Sequence, residues 1–205
     1  MSVSLSKGQK LNLSKERKGL SKVMVGLGWD EAGSDSKGGL LGLFKPKPIA
    51  IDCDASAILC GQNGKALSND KYQTCVFYGH LEHSSGAIIH QGDNLTGEGE
   101  GDDEQIMVDL NGVPDSIAKI VFVVNIYQAK TRNQHFGMIK NAFIRLVNLS
   151  DNTEICKYNL SDNYDGMTGL IVGEVVNEGG EWSFNTIGEP VKDASNIEDI
   201  IKMYI

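Results

Sequence analysis

Ten short apolar or alternating runs, each of strand length and bounded by Gly, Asn or Asp, recur along the chain at 22–27, 49–53, 72–78, 87–89, 106–110, 117–127, 142–147, 154–160, 170–176 and 182–187. Runs of this length and spacing fit antiparallel strands joined by turns better than long helices. The 24 glycines among 205 residues point the same way, since glycine punctuates turns. Helices are expected only near 115–119 and from Asn196, where Ile197, Ile200 and Ile201 share a helical face. The expected architecture is therefore all-β: an antiparallel β-sandwich of about ten short strands with one or two short helices, in a single domain over 1–205.

Charge narrows the function. The chain carries 19 Lys and Arg against 27 Asp and Glu, a net charge of -8, the wrong sign for generic nucleic-acid binding. The deficit is local. Asp93, Glu98, Glu100, Asp102, Asp103, Glu104 and Asp109 fall in one stretch without a Lys or Arg, and outside it 20 acids face 19 bases. The N-terminus lacks an apolar signal segment and no run approaches the roughly 18 apolar residues of a membrane span, so a cytoplasmic protein is expected. Cys53, Cys60, Cys75 and Cys156 have no paired spacing and read as reduced, partly buried thiols.

The stretch 92–106 (Gly-Asp-Asn-Leu-Thr-Gly-Glu-Gly-Glu-Gly-Asp-Asp-Glu-Gln-Ile) is the most informative. Its glycines let the backbone wrap tightly and turn carbonyls inward. Two carboxylates about 5 Å apart repel by about 3 kcal/mol at an effective dielectric of about 20, so several on one ordered loop call for a cation. Many hard oxygens on a flexible loop suit calcium better than octahedral magnesium. A second pair, Asp52 and Asp54, alternates onto one strand face while Ile51, Cys53 and Ala55 point the other way. The expected metal ligands are Asp52, Asp54, Asp93, Asp102, Asp103 and Glu104, with Asn94 and backbone oxygens near Leu95 and Gly97, and Asp30 as a further contributor. The alternative is a hydrated acidic loop.

The stretch is not an EF-hand, because Leu95 stands two positions after Asp93. Walker A, G-x-S-x-G and H-E-x-x-H patterns do not occur, and His80, His83, His90 and His135 read as surface or turn histidines. No enzymatic activity is expected.

Six segments carry a resemblance to a known family: 26–30 (Gly-Leu-Gly-Trp-Asp), 52–56 (Asp-Cys-Asp-Ala-Ser), 92–104, 119–124 (Lys-Ile-Val-Phe-Val-Val), 141–145 (Asn-Ala-Phe-Ile-Arg) and 180–184 (Gly-Glu-Trp-Ser-Phe). In this order, from Ser2 to Gly188, the chain resembles the TerD family of tellurium-resistance and chemical-stress proteins. The resemblance implies a calcium-binding β-sandwich of the bacterial cytosol, without a known reaction, and a pair of calcium ions is the expectation. The partners expected are proteins of a stress-response complex, with the chain a monomer or weak oligomer. Two alternatives stand beside this: calcium-dependent docking at the inner membrane face through Leu41, Leu43, Phe44, Lys45 and Lys47, and cyclic nucleotide binding. The Gly-rich loop holding these residues, from Ala32 to Pro48, is longer than the family's usual linker.

Overall fold

The computed structural model describes residues 2–31, 50–93, 101–160 and 162–205. Twelve strands form two six-stranded sheets. One sheet runs β1 (Val3–Leu5), β10 (Thr153–Asn159), β9 (Ile139–Asn148), β3 (Lys22–Glu31), β7 (Glu104–Asp109) and β6 (Ile88–His90). The other runs β2 (Lys10–Asn12), β12 (Glu181–Val191), β11 (Gly169–Glu178), β8 (Lys119–Ile126), β4 (Cys53–Cys60) and β5 (Cys75–Val76). Every pairing is antiparallel except β1 with β10. The expected sandwich is thus the observed fold.

Alternation builds the space between the sheets. Val23, Val25 and Leu27 of β3, Ile106 and Val108 of β7, and Ala55, Ala57 and Leu59 of β4 all turn into one shared core. The second sheet is also covered on its outer face. There Ile58, Cys60, Val121, Val123 and Ile171 pack against Ile197, Ile200 and Ile201 of α4 (Ile197–Ile201). Asn196 caps that helix, its Oδ1 accepting from Asp199 N at 3.2 Å, as the sequence predicts.

Several boundaries differ from the sequence expectation. The strand expected at 49–53 lies instead at Cys53–Cys60, because β4 is buried on both faces and so lacks the polar–apolar alternation of a half-exposed strand. The segment 115–119 is not helical. Ile117 N bonds back to Pro114 O in a turn, while Ala118 already bonds Cys60 and Asn177 on either side, leading straight into β8. Within 72–78 only two residues are strand, since Asp70 caps the short helix α2 (Lys71–Thr74). Two further four-residue helices, α1 (Leu13–Glu16) and α3 (Ala129–Arg132), carry no signal in the sequence pattern, and neither do the edge strands β1 and β2. All four cysteines are buried and unbridged. No helix among the described residues is long and apolar enough to cross a membrane. Leu41, Leu43, Phe44, Lys45 and Lys47, on which membrane docking rests, lie outside the described residues.

Candidate metal centre

The entry of β4 and the loop after β6 meet at one end of the second sheet. Asp52 immediately precedes β4, its carbonyl accepting from Tyr127 N at 2.8 Å, and Asp54 is the second residue of the strand. With Ile51, Cys53 and Ala55 committed to the core between the sheets, the two aspartates share the opposite face, as the alternation predicts. Asp93 joins them from the loop. One carboxylate oxygen from each of the three lies within 4.8 Å of the others.

This arrangement is costly to hold ionised. Asp54 is 4% exposed, and burial, followed by the charges of Asp52, Glu104 and Asp93, pushes its carboxyl up to about 8. Burial and the Asp93 charge also raise Asp52, against the opposing pull of Arg132, whose Nη1 stands 3.6 Å from Asp52 Oδ2. Asn125, the cross-strand partner of Asp54, donates Nδ2 to Asp54 Oδ2 at 3.1 Å. Asp52 Oδ1 is buried with no hydrogen-bond partner among the described residues. A buried, unpartnered carboxylate oxygen inside a cluster of like charges is the donor chemistry a hard cation satisfies.

The other expected ligands have separate engagements. Asp102 is gripped by Arg145 of β9, Nε to Oδ1 at 2.7 Å and Nη2 to Oδ2 at 2.9 Å. Gly26 and Gly28 make room for this crossing, since a Cβ on Gly26 would collide with the Asp102 carboxylate and one on Gly28 with Gly101 O and the Phe143 ring. Asp103 Oδ2 accepts from Trp29 N at 2.8 Å, and burial is the main influence raising its carboxyl. Glu104 is buried at the start of β7, its Oε2 accepting from Ala55 N at 2.5 Å. Asp30, beside a register shift in β3, accepts from Asn141 Nδ2 at 2.7 Å. The structure therefore brings together Asp52, Asp54 and Asp93, whereas Asn94, Leu95 and Gly97 lie outside the described residues, as do Glu98 and Glu100.

His90 corrects the reading of surface or turn histidines. It is buried, its Nδ1 accepting from Gly92 N at 3.1 Å, which leaves a proton on Nε2 facing Ala55 O at 3.2 Å and Glu104 Oε2 at 3.4 Å. Its place in the run Ile88–His90 is the available signal, since the first and third residues of an edge strand share one face.

The TerD domain profile matches residues 1–204. The chain belongs to the TerD family. A stress response protein, SCP2 of Bacillus subtilis, is 51% identical over the full length of both chains. The tellurium resistance protein TerD of Serratia marcescens is 41% identical, covering 92% of this chain and 91% of the relative. Among solved structures, a protein of unknown function, SAV2460, superposes with a TM-score of 0.63 at 25% identity, covering 87% of this chain and 95% of that one. A homologue of telluride resistance protein from Streptomyces coelicolor has the same fold, with a TM-score of 0.59 over 85% and 92% of the two chains. This TerD chain is thus related along its whole length to stress and tellurium-resistance proteins.

Proposed function

We propose that this TerD domain is a non-enzymatic calcium-binding module of the stress response, in which the metal orders the acidic loop and the ordered surface recruits a protein partner. The observation that carries the metal reading is the trio Asp52, Asp54 and Asp93 together with the unpartnered, buried Asp52 Oδ1. Three carboxylates supply hard oxygens at one point, and a divalent cation offsets both the burial and the like-charge repulsion that raise the carboxyl of Asp54. Asp52 and Asp54 would hold the ion from the strand and Asp93 from the loop, in an irregular oxygen shell that calcium tolerates better than magnesium.

The thiols argue against direct tellurite chemistry as the main role. Burial drives Cys60 up to about 11 and Cys156 up to about 12, and pushes Cys53 and Cys75 well upward, so reactive thiolate is scarce at every cysteine. The deciding experiment is calorimetric titration of the metal-free protein with calcium and with magnesium. Saturable heat for calcium at micromolar or tighter affinity, lost in Asp54→Asn, is expected. No heat, or equal affinity for magnesium, would overturn the reading. A calcium-dependent partner would then be sought by comparing captures in calcium and in chelator.

A further inference from the structure

Behind the carboxylate trio, on the outer face of the second sheet, a cleft runs between β4, β8 and the segment 195–198 that leads into α4. Its floor is polar: Asp54 and Ser56 stand two apart on one face of β4, and Asn125 lies directly across from Asp54 on β8. Its walls are aromatic, formed by Phe77, Tyr78 and Tyr127.

Two floor atoms lack the partners their depth demands. Asn125 is 2% exposed, and since Nδ2 donates to the Asp54 carboxylate, Oδ1 must be the free end; it has no hydrogen-bond partner among the described residues. Ser56 is 1% exposed, and its Oγ also has no conventional partner, only the Cys75 thiol, a weak one, nearby. A buried polar group left unmatched is costly, and Asn125 Oδ1 can be matched only by a donor.

The charges lining the cleft select the kind of donor. Lys71 is already paired with Glu198 and sits over the Phe77 and Tyr72 rings, so its charge is spent. Phosphates, sulfates and carboxylates therefore meet no free positive charge among the lining residues. Hydroxyl groups donate to amide and carboxylate oxygens without carrying charge, and the C–H faces of a polyol lie well against aromatic rings. The cleft encloses about 50 Å³ beneath an open mouth, room for a few waters or for part of one small polyol. That excludes a dinucleotide or a folded peptide.

We propose that this cleft is a binding site for a small neutral polyol, with two of its hydroxyls donating to Asn125 Oδ1 and Ser56 Oγ and its C–H face against Tyr78 and Tyr127. The site is preformed by β4 and β8 and does not require the cation.

The test is an NMR titration of the isotope-labelled full chain, in chelator, with myo-inositol, glycerol, inorganic phosphate and methylammonium as separate probes. Saturable shifts are expected for a polyol at residues around Ser56, Asn125 and Tyr127. Ser56→Ala should weaken the polyol about three- to tenfold, and so should Tyr78→Ala at its 43% exposed position, a change the fold tolerates. Both variants should keep the parent's calcium titration, which is read separately, so failure of the calcium reading and failure of this one are distinguishable. Shifts that stay linear in polyol, or that both variants leave unchanged, would overturn the proposal and leave ordered water in the cleft. Tighter binding of methylammonium or phosphate than of either polyol would overturn it as well.

Discussion

Arg145 closes on Asp102 with two parallel hydrogen bonds, 2.7 Å from Nε and 2.9 Å from Nη2, and the Asp102 side chain is completely buried beneath it. A second arm of the same guanidinium reaches Glu154 at 3.3 Å. The protein therefore holds carboxylates of two kinds: one neutralised by a bidentate arginine, and a trio whose nearest arginine, Arg132, stands 3.6 Å from Asp52 alone.

Removing one partner of a buried ion pair strands the other, at a cost of about 3–5 kcal/mol. Arg145→Ala should accordingly lower the denaturation midpoint strongly in calcium and in chelator alike. Chemical unfolding under both conditions checks this. A loss seen only in calcium would place Asp102 back among the metal ligands.

Gly26 answers to the same contact. Gly26→Ala puts a methyl group into the Asp102 carboxylate and should cost about 1–3 kcal/mol, the usual range for an overpacked interior. Thermal melts of the variant measure it, and a melting point equal to the parent's would show that the pair can shift aside freely.

Asp54 gives the pH dependence. Its carboxyl is near 8 in the folded chain and near 3.8 in the unfolded one, so between these values the folded state holds the extra proton. Its contribution to stability is complete below about pH 4 and lost as pH rises through about 8. In chelator, the wild-type protein should weaken over that window, and Asp54→Asn should flatten the slope. Denaturant midpoints across the pH range decide it; a wild-type slope equal to that of Asp54→Asn would contradict the assignment.

Calcium should act in the opposite sense. At a hundredfold excess over Kd, binding to the folded state alone adds about 2.7 kcal/mol, or roughly 5–11 °C in Tm for a chain of this size. Magnesium at the same concentration should add much less. Differential scanning calorimetry with each ion in turn makes the comparison, and an unchanged Tm in calcium would remove the metal site.

The thiols provide an independent check on packing. All four cysteines are buried, so a disulfide reagent should react slowly with the folded protein and with four thiols after denaturation. Rapid reaction of even one in the native state would mean that a sheet opens locally.

The sandwich was legible because alternation is a short-range property: each of β3, β7 and β12 announces its own buried face. Asp52 and Asp54 were legible for the same reason. The start of β4 was not, because burial on both faces erases the period-two signal on which such a reading depends. The fates of Asp102 and Glu104 were also hidden. Arg145 stands 43 residues from Asp102, and Ala55 49 residues from Glu104; nothing local distinguishes a carboxylate bound by another strand from one facing a cation. The sequence groups Asp102 and Glu104 with Asp93, and the fold gives each of those two a partner of its own on another strand.

Between Cys53 and Ser56, β4 has no strand beside it on the side away from β8 among the described residues, and there the buried Ala55 backbone is met by side chains instead. Glu104 takes its amide and His90 its carbonyl. An uncovered strand edge is a template for another chain, so these two side chains act as a seal against aggregation as well as an internal brace. Replacing either with an apolar residue should be felt first as turbidity at high protein concentration, before any change in the metal titration.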